Sequence, residues 1–272
     1  MVTAGALGAT ALVAGAAVGW PLVPDRVKQD LGLQPAPDPF IPDAPEGQVT
    51  LETVPSSARG RDVSLFTAVP AGYGDGEGLP VVIVLHGATG RPTDYQAFGL
   101  GRFLTAAVEQ GSRPFVLAGA DGGTLRWSPQ PDGDDPRAMV VEEMPQWLAD
   151  RGFDADRRAL WGWSMGGYGA LRLIEVSPGY ARATAAFSPA VGEGDEVFTG
   201  ADQLAPERLG IWCGTDDPLY PAVTSLVGAI APPPAIASFS PGGHTRVFWS
   251  NQTLEAFAFL SDWLWRRAAA VR

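Results

Sequence analysis

From about residue 48 onward, short apolar runs alternate with longer stretches that carry apolar residues on one face. Residues 62–69 alternate in polarity, the period-two pattern of a strand with one wet face, and predict an early antiparallel strand. Val81-Val82-Ile83-Val84-Leu85 is apolar throughout, as expected of a central strand covered on both faces. Further strands are predicted over 115–118, 159–162, 183–187 and 209–213, and helices over 101–110, 139–149, 167–176 and 219–230. A last helix is expected from a cap at Asn251 to Arg267, with Leu254, Phe257, Leu260, Trp263 and Leu264 as its buried stripe. Repeated βα units imply an α/β fold with a mostly parallel central sheet flanked by helices.

The chain before this region has a different character. Residues 1–23 contain no charged side chain and are rich in Ala, Gly, Val and Leu, long enough for the roughly 20 apolar residues a bilayer requires. Small residues at Ala14 and Ala16 fit a leader-peptide cleavage pattern, although no Lys or Arg precedes the apolar run. A signal peptide or membrane anchor is the expectation, and with it a secreted or cell-envelope location. Pro24, Pro35, Pro37, Pro39, Pro42 and Pro45 make 24–47 an extended linker, because proline interrupts helices and central strands alike. The folded domain is then expected over 48–272. The stretch 191–208 is short for a cap domain, so little or no cap is expected and the site should be open.

Composition narrows the partners. A chain of 272 residues can bury one substantial core, and 46% hydrophobic against 18% charged residues is a globular balance. The formal net charge of −11 leaves no basic stripe to neutralise phosphates, which argues against nucleic acid and against strongly anionic surfaces. The single cysteine, Cys213, allows no intrachain disulfide and sits in the apolar run Gly210-Ile211-Trp212-Cys213, where it reads as a small buried hydrophobe.

Gly162-Trp163-Ser164-Met165-Gly166 matches G-x-S-x-G. A serine hydroxyl is a weak nucleophile until it is exposed, oriented and paired with a base. The glycines leave room for a sharp strand-to-helix turn that lifts Ser164 to its apex, and the next N–H, of Met165, then points at the substrate oxygen. In a chain with 34 glycines the pattern alone is weak, and context strengthens it. There are only two histidines. His86 directly follows the 81–85 strand, where a histidine braces the loop that supplies oxyanion donors. His244, in the glycine-rich loop Pro241-Gly242-Gly243-His244, is left as the candidate general base. The orienting acid is sought in Gly214-Thr215-Asp216-Asp217-Pro218, between serine and histidine in the chain. Asp217 is favoured, because Pro218 biases it towards an extended backbone, while Asp216 is the alternative and can instead cap the next helix. The second oxyanion donor is expected in His86-Gly87-Ala88-Thr89-Gly90, with Ala88 first and Gly87 second.

Val84-Leu85-His86-Gly87, Asp121-Gly122-Gly123, Trp127, Gly162-Trp163-Ser164-Met165-Gly166-Gly167, Phe187-Ser188-Pro189, Gly214-Thr215-Asp216-Asp217 and Gly243-His244 to Trp249 occur in this order. Together they resemble the esterase D-like family of α/β-hydrolases, named Putative esterase, over about 81–264. That family includes S-formylglutathione hydrolases, feruloyl and other carbohydrate esterases, and mycolyltransferases. The resemblance implies the α/β-hydrolase fold, a Ser-Asp/Glu-His triad, and neither metal nor organic cofactor. It implies as substrate a small-molecule or a lipid or carbohydrate ester. The N-terminal segment does not suit a cytosolic S-formylglutathione hydrolase and instead allows association with a membrane or cell envelope. The mycolyltransferase branch uses Glu as its acid, where this chain offers Asp217.

Trp127, Trp163 and Trp249 lie near the triad loops in sequence and are candidate substrate contacts. The acids Asp132, Asp134 and Asp135 do not match a calcium-loop spacing and read as a solvated loop, as does Gly192-Glu193-Gly194-Asp195-Glu196. Glu142 and Glu143 are expected to favour a helix N-terminal turn. The reading that follows is a serine esterase working through an acyl-enzyme. An acyltransferase of the mycolyltransferase type is the first alternative, and a non-catalytic envelope-binding module is the second.

Overall fold

The computed structural model describes residues 38–204 and 208–266. The expected leader and most of the proline-rich linker therefore lie outside the described residues. The compact body begins at Pro39, with Phe40 set edge-on against Phe103 at 5.8 Å between ring centroids.

Among the described residues, eight strands form one sheet: β1 (Gln48–Ser56), β2 (Arg61–Val69), β3 (Pro80–Leu85), β4 (Val116–Ala120), β5 (Asp154–Trp163), β6 (Thr184–Phe187), β7 (Leu209–Gly214) and β8 (Ile236–Ser240). Their order across the sheet is β1-β2-β4-β3-β5-β6-β7-β8. The β1–β2 and β2–β4 pairs are antiparallel and every other pair is parallel. The helices are α1 (Leu100–Glu109), α2, α3 (Met165–Val176), α4 (Glu196–Thr199), α5 (Tyr220–Ala229) and α6 (Arg246–Trp265). In α2, Pro136–Ala138, a π-turn over Met139–Glu143, and Met144–Ala149 run on as one helical stretch. This is the mixed, mostly parallel sheet with flanking helices of an α/β-hydrolase fold.

The alternation of β3 shows why the sheet is covered on both faces. Val81, Ile83 and Leu85 join one apolar core with α2, α3 and α5, whereas Val82 and Val84 join a second with α1 and α6. A strand buried on both sides cannot carry polar residues on either face, hence the unbroken apolar run.

Two strands escape the hydrophobic pattern. β1 is an edge strand that leaves Leu51 exposed, and β8 is an edge strand with no fully buried residue, so neither carries a strong periodic signal. The last helix also starts earlier than its expected cap. Thr245, not Asn251, is the N-cap, its hydroxyl accepting from the Phe248 N–H at 3.4 Å, and Asn251 is an exposed residue inside the helix. Phe257, Leu260 and Leu264 face the core as predicted, but Leu254 and Trp263 are only half-buried, and Phe248, Ser250, Thr253, Ala256 and Ser261 complete the buried face.

The acids read as solvated loops have structural partners. Asp134 binds Arg59 and Arg61, and Asp135 caps α2 by accepting from the N–H groups of Arg137 and Ala138, both at 2.9 Å, whereas Glu143, expected in a helix's N-terminal turn, lies inside α2 and accepts from Ser56 and from the Ala58 N–H. Together they fasten the β1–β2 hairpin turn to α2. Likewise Asp195 pairs with Arg126 at 3.0 Å and Glu196 with Arg172 at 2.7 Å. Between β6 and β7 only α4 and a single helical turn, Ala201–Gln203, are found among the described residues.

Candidate active site

Ser164 stands between the last residue of β5 and the first of α3 with φ 55° and ψ −122°, a conformation costly for any side-chain-bearing residue. The turn is held from three directions. Ser164 N–H donates to Phe187 O at 2.9 Å, and its carbonyl accepts from the N–H groups of Tyr168 and Ala190, each at 3.0 Å. The flanking glycines are required by contact: a Cβ on Gly162 would lie 2.4 Å from Gly166 O, and one on Gly166 would lie 1.9 Å from Leu85 O. This close approach lets α3 start directly over the end of the central sheet. Ser164 is half-exposed while its neighbours are buried.

His244 reaches the serine from the loop between β8 and α6. Its Nε2 lies 2.9 Å from Ser164 Oγ and its Nδ1 lies 2.8 Å from Asp217 Oδ2. A carboxylate can only accept, so the proton sits on Nδ1 and Nε2 is left to accept from the serine hydroxyl. The β7 and β8 loops that carry the two residues are joined by Thr215 N–H to Ser240 O and Asp216 N–H to Gly242 O, both at 2.9 Å. Asp217 is the aspartate that the structure brings to His244; Asp216, half-buried, points its backbone N–H at Gly242.

The carboxyl of Asp217 is fully buried, and burial by itself would raise its pKa. Hydrogen bonds from His244, from the Leu219 N–H at 2.9 Å and from Ser188 outweigh that penalty and hold it below the usual carboxylate value. With the folded value depressed, the stabilisation from ionised Asp217 is complete above the unfolded carboxylate range and is lost as pH falls through the lower folded value. Thermal melts of the wild type and Asp217→Asn should therefore differ by a constant amount from pH 7 to 5 and converge only below about pH 4. Beside it, burial and the neighbouring Asp217 push the Cys213 thiol up to about 12, which makes it an inert thiol.

The loop after β3 lies against the serine, since a Cβ on Gly87 would sit 3.4 Å from Ser164 Cβ. His86 is buried beneath it. The Gly122 N–H donates to His86 Nε2 at 2.9 Å, so Nδ1 must carry the proton and donates to Gly87 O at 2.8 Å. His86 is thereby a brace and not a second base. The Ala88 amide lies in a turn closed by Gly90 N–H to Gly87 O, and the Met165 amide opens α3; neither donates to another described residue. Both remain available to an incoming oxygen.

The three tryptophans take different places. Trp127 is only 2% exposed and is walled in by Gly122 and Gly169, where a Cβ would lie 2.5 Å and 2.6 Å from its ring, and its indole N–H donates to His86 O at 3.2 Å. It supports the His86 loop from behind and is too enclosed to contact substrate. Trp127→Ala should open a cavity costing about 3–5 kcal/mol, seen as a loss of Tm together with weakened activity in the protein that still folds. Trp163 is buried among Tyr95, Phe98, Trp161 and Trp249. Trp249 is half-buried, sets its ring at 5.1 Å and 87° to His244, and donates to Ser188 Oγ at 3.1 Å. Ser188 had no role assigned from sequence. Its only signal was its place in Phe187-Ser188-Pro189 at a strand end, and it links Trp249 to Asp217.

A nucleophile, a base with a free acceptor nitrogen, a buried anion and two unengaged amides can carry out acyl transfer through a covalent serine intermediate. Among the described residues no cluster of three or more His, Cys, Asp or Glu is placed to hold a metal ion, and no helix is long and apolar enough to cross a membrane.

No curated protein matches the chain by sequence. Among solved structures it is similar in fold to a ferulic acid esterase from Anaeromyces mucronatus in complex with ferulic acid, at 16% identity and TM-score 0.66, covering 82% of this chain and 92% of that one. It is similar to an S-formylglutathione hydrolase from Agrobacterium tumefaciens at 19% identity and TM-score 0.65, covering 80% and 96%. It is similar also to MPT51 of Mycobacterium tuberculosis at 16% identity and TM-score 0.64, covering 80% and 99%. At these identities the likeness speaks for the fold. The family named Putative esterase matches residues 56–270, most of the chain, and its span takes in Ser164, Asp217 and His244. The chain thus belongs to the Putative esterase family of α/β-hydrolases.

Proposed function

We propose that the protein hydrolyses a carboxylic ester through an acyl-enzyme on Ser164. The observation that carries this reading is the continuous Asp217–His244–Ser164 hydrogen-bond chain, at 2.8 and 2.9 Å, with the serine at a strained turn. Ser164 Oγ attacks the ester carbonyl carbon as His244 Nε2 takes its proton. The tetrahedral oxyanion is held by the Met165 and Ala88 amides. Collapse breaks the carbon–oxygen bond of the ester, and His244 returns the proton to the leaving alcohol. Water, deprotonated by the same histidine, then releases the acid. Asp217 keeps the imidazole in the required tautomer and stabilises its charged form.

We assign the alcohol side of the substrate to an open cavity of about 510 Å³ on the α3 side, bounded by Arg126, Gln130, Tyr168 and Asp195. Its walls mix apolar surface with the hydrogen-bonding side chains of Arg126, Gln130 and Asp195, which suits a hydroxyl-bearing group. The same feature supports acyl transfer to a polyol as a second reading, and product analysis with trehalose as competing acceptor separates transfer from hydrolysis. Export to the cell envelope is part of the proposal and rests on the uncharged apolar residues 1–23.

Covalent labelling tests the core of it. A fluorophosphonate should modify the wild-type protein stoichiometrically and leave Ser164→Ala untouched, with p-nitrophenyl acetate turnover lost in parallel. Labelling that survives in Ser164→Ala would place the nucleophile elsewhere and sink the assignment, and none in the wild type would leave the non-catalytic binding module as the better reading.

A further inference from the structure

Arg59 stands in the turn between β1 and β2, and its side chain is fully buried. Burying a guanidinium is costly unless its donors find acceptors. Two of its nitrogens bind the Asp134 carboxylate, Nε at Oδ1 and Nη2 at Oδ2, the latter at 3.3 Å. That pair by itself fastens the turn. The third nitrogen, Nη1, donates instead to the backbone carbonyl of Asp121, in the loop after β4.

That bond is the first of a series that ends beside Ser164. The Asp121 carbonyl and the Gly122 N–H belong to one peptide unit, and the Gly122 N–H donates to His86 Nε2 at 2.9 Å. Across the same ring, Nδ1 donates to Gly87 O at 2.8 Å. Gly87 O and the Ala88 N–H again share a peptide unit. Neither unit is cis, so in each the N–H points opposite to the C=O. Gly87 O is held by His86 Nδ1 and by the Gly90 N–H at 3.0 Å, which turns the Ala88 N–H away from the buried ring. Gly87 itself lies against the nucleophile, where a Cβ would sit 3.4 Å from Ser164 Cβ.

Every bond in the series runs the same way, from the guanidinium to the Ala88 amide. A peptide whose carbonyl accepts a hydrogen bond is a better donor at its N–H, and aligned bonds strengthen one another by about 10–30% each. The first donor is charged, so the series starts on the stronger kind of bond. The ring transmits it only as the neutral tautomer with its proton on Nδ1, because a proton on Nε2 would set two donors face to face. The Asp121 carboxylate lies 3.6 Å from Nε2, outside hydrogen-bonding distance, and accepts from the Gly123 N–H at 2.8 Å. Fastening the β1–β2 turn requires none of this alignment.

We propose that Arg59 is a positioning residue of the oxyanion hole, acting on the Ala88 N–H through the Asp121–Gly122 peptide, His86 and the Gly87–Ala88 peptide. It rests on the ester-hydrolase reading and adds to it a source for the strength and direction of one oxyanion donor. When negative charge develops on the substrate oxygen, the Ala88 N–H meets it already polarised by the bonds behind it. No bond in the series breaks and no proton crosses it. The Met165 amide, at the start of α3, stands outside the series.

Kinetics with p-nitrophenyl acetate and its thionoester, whose sulfur accepts hydrogen bonds weakly, separate this role from a structural one. His86→Ala should lower kcat/KM for the oxygen ester by about 10²-fold and for the thionoester by less than about tenfold. Arg59→Gln should lower the oxygen ester about tenfold and leave the thionoester nearly unchanged. Arg59→Lys, which keeps the charge but not the forked geometry, should recover part of the loss. Thermal melts identify a variant that fails to fold, and a second measurement needs neither residue changed. In His244→Ala, His86 is the one histidine left, and ¹⁵N NMR at pH 7 should find its proton on Nδ1. A proton on Nε2, equal losses on both substrates in folded variants, or no selective loss in Arg59→Gln overturns the proposal. An absence of wild-type turnover and fluorophosphonate labelling overturns the ester-hydrolase reading, whereas turnover with parallel losses overturns only the role of Arg59.

Discussion

Asp217→Asn should lower kcat for p-nitrophenyl acetate by about 10⁴-fold while KM changes little, a loss of about 5.5 kcal/mol in transition-state stabilisation. The reason is the tautomer. Asp217 accepts from His244 Nδ1 at 2.8 Å, which leaves Nε2 free to take the proton from Ser164. An asparagine of the same shape can present its NH₂ to Nδ1, which puts the imidazole proton on Nε2 and closes off the base. His244→Ala should lose a similar factor, and the double variant scarcely more, because the residues act as a unit. Asp216→Asn is the control, since the two imidazole nitrogens are engaged by Asp217 and Ser164. The outcome that defeats the assignment is a less than tenfold loss in Asp217→Asn with a large loss in Asp216→Asn. Neither substitution adds bulk, and circular dichroism should show both proteins folded at pH 7.

The legibility of this chain depended on how strongly local chemistry constrained each element. β3 declared itself because a strand buried on both faces has no polar option, and the Ser164 turn because a backbone approach as close as Gly166 to Leu85 leaves only glycine. His244 was reached by scarcity, there being two histidines, and Asp217 by its place between serine and histidine. β1 and β8 were illegible for the opposite reason. At a sheet edge the exposed backbone and mixed burial leave no period to read, and pairing with β2 or β7 decides the structure. The start of α6 was placed six residues late because Asn251 and Thr245 are both acceptable caps, and only the loop bringing His244 to Ser164 selects Thr245. The tryptophans show the limit most plainly. Trp127, Trp163 and Trp249 all lie at or near the motifs in sequence, yet one braces a loop, one is buried in an aromatic cluster and one flanks the base.

Among the described glycines, Gly166→Ala adds the methyl group that meets backbone most closely and should cost stability and activity together. A Cβ there would lie 1.9 Å from Leu85 O, 2.4 Å from Leu85 C and 2.7 Å from His86 O, all backbone atoms. Side chains can rotate away from an added methyl, but β3 cannot retreat, because it is hydrogen-bonded between β4 and β5 in the middle of the sheet. Relief can come only from lifting the first turn of α3, which would also move Ser164 off His244 and the Met165 amide off its line to the oxyanion. Overpacking of this kind exceeds the usual range and should cost at least about 3 kcal/mol, or about 6–12 °C in Tm for a domain of this size. Gly228 in α5 is the matched control, since a Cβ there meets nothing within 4 Å. Gly228→Ala should hold or raise stability, by up to about 1 kcal/mol, as alanine does in an exposed helix. Differential scanning calorimetry on the three proteins reads the contrast, and a Gly166→Ala protein that melts with the wild type and keeps its turnover would show that α3 is not pinned against β3.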